Sequence, residues 1–462
     1  MVKDVVHKVQ NKGYWRDNSA TILLILILLV FSGYSVFLAF NLQSGIIPDE
    51  PAHFTFSKYF STTPLIPPDT LETSSLGWYI QQNPFLYHYI NGRIINIVEL
   101  VTPSASDRAL LVALRLVNVA YAVGSIIFCF LLSKEIINHK WWQLLPPFLL
   151  SNTLMFVFLA GGVNYDNLAN LLSIAGIYLL IRVFKGKNFF GYSLGWMIVL
   201  GLGTLVKYTL LPLALVMFIT WLIFSILRKK KIIPAKKMNK KLIALMLLFF
   251  VVLIANFALY GYNLVAYQSI TPACNEILSN AQCDLSPYTI RYGNLALDQK
   301  LTLREVFSSD YPDPVNYLLD DWIPILSSQI FGIAGHRTYT PNRIAIIYRG
   351  LFLAILLLAY KYWKNPDFSI YSLVGIVLFY IAVLFVVNYN SELVYGFKHI
   401  AVQGRYLFPV IGIVYTLAAY FIKKVPQWWI KYPLLALLVV LFIYGGPINF
   451  ILKYNTHFSG WF

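Results

Sequence analysis

Runs of about twenty apolar residues, separated by short polar or basic turns, recur along nearly the whole chain. Each run suits a hydrocarbon core of about 30 Å, which takes about twenty helical residues to cross. The pattern predicts an all-α polytopic membrane protein of about 11 transmembrane helices, with short helices in its outer loops. Predicted spans cover about 20–42, 109–132, 141–160 and 167–183. The next apolar stretch, 189–227, is about twice the span length and is split near Lys207 and Tyr208. Further spans follow at about 242–264, 343–360, 368–387 and 406–422, with a last helix after Lys431. Two longer stretches, 43–108 and 265–342, are expected as the first and second outer loops of a single transmembrane domain covering 1–462.

Composition agrees, with 58% hydrophobic and 12% charged residues among 462 and a mean hydropathy of +0.65. A soluble domain carries about 25% charged residues, so this chain lacks the polar surface to cover itself in water. The net charge of +16 changes the picture through its placement. Much of it lies between Arg228 and Lys241, and Lys3, Lys8, Lys12 and Arg16 precede the first span. Basic connectors stay on the cytoplasmic side. The expected location is therefore the plasma membrane, with the N-terminus inside and the long loops outside. Contact with anionic lipid headgroups is a secondary expectation. No basic-aromatic surface accompanies the charge, which argues against nucleic-acid binding.

Cys274 and Cys283 share the second outer loop, where eight intervening residues make a short closable ring. Outside the cell such a pair favours a disulfide over two free thiols. Cys129 lies inside a span and reads as packing.

Five groups of polar residues could carry chemistry. Asp49, Glu50 and His53 follow the first span in Pro48-Asp49-Glu50-Pro51-Ala52-His53. They read either as the acidic first turn of a surface helix or as a general base with its support. Gln82, Asn83 and Tyr87 form part of an interfacial aromatic stretch, or else line a polar pocket. Asn164 and Asp166 fall in a connector whose residue types also suit an ordinary turn. The acids could orient an acceptor or hold a divalent cation, although two or three scattered carboxylates do not specify a metal. Lys207, beside Tyr208, sits in an apolar stretch with no acid nearby in sequence, and Arg115 poses the same question. Lys207 either snorkels to the headgroups or, together with Tyr208, binds a phosphate at the membrane surface. Finally, Gln403-Gly404-Arg405 enters the tenth span, offering a guanidinium fork and a glycine that permits close approach.

Taken together, Pro48-Asp49-Glu50-Pro51-Ala52-His53-Phe54, Asn164-Tyr165-Asp166-Asn167-Leu168-Ala169-Asn170, Lys207-Tyr208-Thr209 and Gln403-Gly404-Arg405-Tyr406-Leu407-Phe408-Pro409 resemble the membrane proteins of domain of unknown function 2142. That family is grouped with the GT-C glycosyltransferases. The resemblance implies a GT-C-like fold, a site under the first outer loop and a sugar donor carried on a polyprenyl phosphate. It implies Asp49 as catalytic base, Glu50 and His53 as its support, and Lys207 and Arg405 as donor-phosphate ligands. Where many related transferases carry His-Pro-Pro-Leu-Tyr, this chain has Asn83-Pro84-Phe85-Leu86-Tyr87.

The expected function is transfer of a sugar from that donor to a hydroxyl on a glycan, a lipid-linked acceptor or a protein, by inverting displacement. The rival is a transporter or flippase for a lipid-linked or anionic substrate, using Lys207 and Arg405 for binding and Asp49 for coupling. Transporters favour internal repeats and sites at mid-membrane, and neither pattern stands out in this sequence.

Overall fold

A computed structural model describes residues 2–77, 79–228, 240–308, 311–333, 339, 342–400, 402–457 and 460–462. Among these residues the architecture is helical, with no strand and an isolated bridge between Ile333 and Tyr339. Ten described helices are long and apolar enough to cross a membrane, or eleven if one bent pair counts as a span. The chain is an integral membrane protein. The basic connector expected between Arg228 and Lys241 falls largely on 229–239, outside the described residues, as do the side chains of Lys3, Lys8, Lys12 and Arg16.

The spans are not equivalent. Asp166–Phe184 and Gly404–Lys424 are the most enclosed, with 72% and 67% of their apolar windows buried, whereas Lys240–Tyr267 buries only 11%. The enclosed helices carry the polar residues that an apolar run would otherwise exclude. Asn167 donates through Nδ2 to Asn118 Oδ1 at 3.1 Å and to the Leu159 carbonyl at 2.8 Å. Asn118 Oδ1 also accepts from the Tyr87 hydroxyl at 3.0 Å. These bonds fasten four helices, Leu86–Val101, Asp107–Ile136, Leu154–Ala160 and Asp166–Phe184. Inside a bilayer such polar contacts hold helices together where apolar packing alone discriminates weakly.

Three expected helix limits differ from the structure. The 141–160 span is instead a pair, Trp142–Ser151 and Leu154–Ala160, bent by 63°. At the break Asn152 Nδ2 bonds the Phe148 carbonyl and the Thr153 hydroxyl bonds that of Leu149, local contacts that compete with straight helix. The span expected to stop at 387 continues to Tyr395. Its polar last turns are covered by protein, since Asn388 accepts from Trp322 Nε1 at 2.9 Å, so hydropathy falls before the helix does. The helix from Lys240 passes through a π turn at Phe257–Gly261 and runs on to Tyr267.

The two long loops lie together at one end of the bundle. The first contains helices Glu50–Ser61, Leu71–Ser75 and Leu86–Val101. The second contains several short helices and the Cys274–Cys283 disulfide, whose Cα atoms are 5.8 Å apart. Tyr79 donates to the Pro272 carbonyl at 3.1 Å, joining the loops, and Asn263, in the helix before the second loop, donates to that of Gln82 at 2.9 Å. Cys129 is buried among apolar side chains.

Candidate active site

Asp49 and Glu50 are neighbours in sequence and part company in space. Asp49 adopts a left-handed conformation, φ 60° and ψ 7°, which a non-glycine residue rarely takes, though Asp tolerates it better than most. It occupies the N-cap position of Glu50–Ser61 but makes no side-chain capping bond. Its carboxylate is turned instead to Arg405, with Oδ2 at 2.6 Å from Nη2. Glu50, fully buried, meets Arg115 through two bonds, Nε–Oε1 at 2.8 Å and Nη2–Oε2 at 2.6 Å. It also accepts from the Val163 amide at 3.0 Å, while Arg115 donates to the carbonyls of Ala39, Leu42 and Gln43. Glu50 thus ties the loop to the end of the first helix, to Asp107–Ile136 and to the turn at Val163, and its carboxylate is taken up by Arg115.

The Gly161–Asp166 turn is drawn under this motif by close approach and by hydrogen bonds. A Cβ on Gly162 would fall 2.5 Å from Ile47, and one on Gly161 2.6 Å from Leu38, so only glycine lets the turn pass there. Asn164 Nδ2 donates to the Pro48 carbonyl at 3.0 Å, and its Oδ1 accepts from the Asp166 amide at 2.9 Å. Asn164 therefore couples the two acid-bearing segments.

Asp166 opens the Asp166–Phe184 helix and faces two cations. Lys207 Nζ bonds to its Oδ1, and Arg405 Nε lies 3.5 Å from its Oδ2. Lys207 is only 5% exposed, so it does not snorkel. The chain is extended at Lys207, φ −154°, where the Phe189–Val206 helix ends and a short 3-10 turn, Tyr208–Leu210, begins. Its ammonium lies 4.6 Å from the centres of both the Tyr165 and Tyr406 rings. Stacking on two aromatic faces and pairing with Asp166 offset part of the cost of burying it. The result is an alternating array, Asp49–Arg405–Asp166–Lys207, drawn from four distant parts of the sequence.

This array is not saturated. Arg405 is 8% exposed, yet its Nη1 has no hydrogen-bond acceptor. Asn170 Nδ2, one helical turn on from Asp166, is likewise buried without an acceptor. Asp49 is the open member, with 37% of its side chain exposed. Among the described residues no group of three or more His, Cys, Asp or Glu is arranged to hold a metal ion. The carboxylates are spent on the two cations.

His53 lies one turn beyond Asp49 and is buried with His88, Nδ1 to Nε2 at 3.1 Å. Burial pulls the His53 imidazole down to about 4, against the opposing pull of Asp49 and Asp166. Burial also holds His88 well below the usual value. The pair is neutral near pH 7, one ring donating to the other, and His53 packs edge-on against Tyr165 at 4.4 Å. His88 had no distinguishing signal beyond its place in an aromatic stretch.

Other expected residues are placed differently. Tyr87 is wholly buried and bonded to Asn118, so it cannot touch a substrate in this conformation. Asn83 Nδ2 bonds the Tyr79 carbonyl at 2.7 Å, and Gln82 is buried with Oε1 unpaired. Gln403 precedes the 3-10 turn Gly404–Leu407 and accepts the Tyr406 amide through its carbonyl. Gly404 answers a need within the protein. A Cβ there would stand 2.7 Å from the Leu326 carbonyl, and its amide donates to Gln329 Oε1 at 2.7 Å. Tyr208 is half-exposed at the end of the array. An apolar groove of about 500 Å³, lined by Leu26, Val30, Phe148, Val439 and their neighbours, contains none of these residues.

The family model for dolichyl-phosphate-mannose-protein mannosyltransferases matches residues 106–256, a stretch that holds Arg115, Asp166 and Lys207 but neither Asp49 nor Arg405. No curated protein sequence matches the chain. Among solved structures it is similar to the Archaeoglobus fulgidus oligosaccharyltransferase tethered to an acceptor peptide, at 12% identity and a TM-score of 0.53. That match covers 94% of this chain and 55% of the other. The apo form of the same enzyme matches at 13% identity and 0.50, covering 91% and 55%. ArnT from Cupriavidus metallidurans bound to undecaprenyl phosphate matches at 10% identity and 0.48, covering 91% and 63%. The chain spans about half the length of the archaeal enzyme. Its fold is GT-C-like, similar to that of the archaeal oligosaccharyltransferase.

Proposed function

We propose that the protein is a membrane glycosyltransferase that moves one sugar from a polyprenyl-phosphate donor to an acceptor hydroxyl at the outer membrane surface, with inversion. One observation supports the reading above the others. Arg405 is buried with Nη1 unbonded, beside a carboxylate that is partly open. A buried donor left unmet costs about 1–3 kcal/mol, more when charged, and a ligand bearing acceptor oxygens removes that cost. Phosphate oxygens match a guanidinium fork. The N-terminal ends of Asp166–Phe184 and Phe408–Lys424 add positive potential beside the same residues. The family whose model matches is named for a dolichyl-phosphate sugar, which supports the donor class.

In this mechanism Arg405 and Lys207 hold the donor phosphate. Its oxygens compete with Asp49 for Arg405, which leaves the Asp49 carboxylate open to the acceptor hydroxyl. The acceptor oxygen bonds to the anomeric carbon as the carbon–oxygen bond to phosphate breaks. The bonding electrons leave with the polyprenyl phosphate, and the acceptor's proton passes to Asp49. The leaving phosphate gains a negative charge, so fixed cations bind it more strongly as the reaction proceeds. A single displacement needs no second carboxylate as nucleophile, unlike a retaining glycosidase.

The test uses purified protein in lipid nanodiscs with a panel of polyprenyl-phosphate sugars. Time-dependent release of polyprenyl phosphate is expected, and Asp49→Asn loses it while keeping the wild-type melting temperature. A transporter would bind or move the lipid without releasing the phosphate. Release at the wild-type rate by Asp49→Asn ends the proposal.

A further inference from the structure

The apolar groove of about 500 Å³ lies toward the end of the bundle opposite the charged array. The first helix meets the array end at Leu42, whose carbonyl bonds Arg115, and lines the groove only between Leu23 and Tyr34. Leu144, Leu145 and Phe148 of the bent pair form a second wall, and Leu435, Val439 and Ile443 of Trp428–Tyr444 a third. The 63° bend closes one end of the recess. Ser151 and Asn152 line the groove at the break, and Gly446 packs there so tightly that a Cβ would stand 2.9 Å from the Asn152 carbonyl. From Leu23 to Tyr34 the groove extends about 16 Å, at 1.5 Å per helical residue. That is half of a hydrocarbon core of about 30 Å, the depth of one leaflet.

The other end has a basic and aromatic rim. Trp141 lines the groove and directly follows Lys140, which is exposed. Lys431 precedes Leu435 by four residues on one helix, so the two share a face. Lys423 Nζ donates to the Asn138 carbonyl at 2.9 Å, tying Lys423 and Lys424 to the turn that carries Lys140. Trp141, Trp428 and Trp429 are exposed at this end, as tryptophans are at a membrane–water interface. No Asp or Glu occurs in 136–145 or 421–440, and Glu135 is taken by Arg182 at 3.0 Å.

We infer that this groove binds an anionic phospholipid, with one acyl chain along the apolar walls and the headgroup phosphate at Lys140 and Lys431. The inference is independent of the transferase reading. Apolar walls one leaflet deep fit a single acyl chain. The basic rim then selects an anionic headgroup over a zwitterionic one, each lysine being worth about fivefold in affinity. A second copy docking through this same face would bring two lysine clusters together, which like-charge repulsion opposes. Lys423 stands about 27 Å from Arg405 along the Gly404–Lys424 span. A lipid held here by its phosphate is therefore a different molecule from one held at Arg405.

The test uses full-length protein in phosphatidylcholine nanodiscs. These are doped with phosphatidylglycerol or phosphatidylcholine carrying a photoreactive diazirine in one acyl chain. The phosphatidylglycerol probe is expected to label 23–34, 141–152 and 435–448 at least about tenfold more than the phosphatidylcholine probe, given two lysines. Lys140→Gln combined with Lys431→Gln should cut that preference below about threefold and leave undecaprenyl phosphate binding unchanged. Val439→Trp fills the groove and keeps both lysines, so it should abolish labelling of 23–34. Val30→Phe makes the same test from the first helix, and melting curves confirm that each variant is folded. Native mass spectrometry of the same samples reads retained lipid and oligomeric state. Equal labelling by the two probes, or labelling of the little-buried span Lys240–Tyr267 as strong as that of the groove, overturns the inference. So does a preference that survives the double lysine variant, or a dimer that shields the groove from both probes.

Discussion

Two adjacent acids enter two different ion arrays, and the contrast between the arrays separates structure from chemistry. Glu50 and Arg115 are both wholly buried, meet through two short bonds, and spend their remaining capacity on a backbone amide and three carbonyls. Asp49 and Arg405 meet at 2.6 Å, with an unmet nitrogen on the arginine and 37% of the Asp49 side chain exposed. The first array is complete and needs nothing further. The second keeps valences in reserve at the bundle end covered by both loops. Burial and charge alone would rank Glu50 above Asp49 as the notable acid; counting satisfied atoms reverses the order.

The comparison predicts opposite phenotypes for neighbouring substitutions. Asp49→Asn should lower polyprenyl-phosphate release about 10²–10⁴-fold with little change in thermal stability, the loss expected of a general base. Turnover within tenfold of wild type would break the assignment. Glu50→Gln should do the reverse, destabilising by about 3–5 kcal/mol because Arg115 stays buried without its partner. A nanodisc melting curve unmoved by Glu50→Gln would mean the complete array is not holding the loop. Arg405→Lys keeps the charge but loses the fork, and should raise the barrier by about 2.7–4 kcal/mol, judged from kcat at saturating donor.

Smaller effects sharpen the same contrast. His53 is neutral in the fold, with its value down at about 4, whereas the unfolded chain takes up a proton near 6.5. The unfolded state therefore binds more protons between those values, and stability falls as the pH drops from about 6.5 to about 4, by on the order of 3 kcal/mol. His53→Gln should flatten that part of a stability–pH curve, and a curve that keeps its slope in the variant would refute the cause. Paired replacement of Cys274 and Cys283 by Ser should cost roughly 2–3 kcal/mol, the amount a short closed loop saves in chain entropy. The disulfide touches neither array, so donor binding should survive its removal, and loss of undecaprenyl phosphate binding would show that the second loop reaches further into the site.

Most helices were legible because membrane burial writes itself into the sequence as apolar runs. The break at Lys207 was legible too, since the stretch 189–227 is too long for one crossing and a lysine marks its interruption. The spacing of Cys274 and Cys283 matched a closable ring, and the bond is present. The extension to Tyr395 was hidden because its polar residues are satisfied by another part of the chain. Gly404 carried a correct message about close approach but not its object, which proved to be the Leu326 carbonyl.

Sequence by itself determined the class of molecule, the approximate crossings, and the short set of polar residues too costly to place in an apolar chain without purpose. Those follow from local composition and from periodicity, which need no knowledge of distant neighbours. Tertiary structure alone decided the pairing of those residues. A left-handed backbone at Asp49, a glycine-lined passage at Gly161 and Gly162, and the Asn164 bridge send one acid to Arg405 and its neighbour to Arg115. Ion pairing between residues 356 positions apart, as for Asp49 and Arg405, depends on how helices pack, and no local pattern records it.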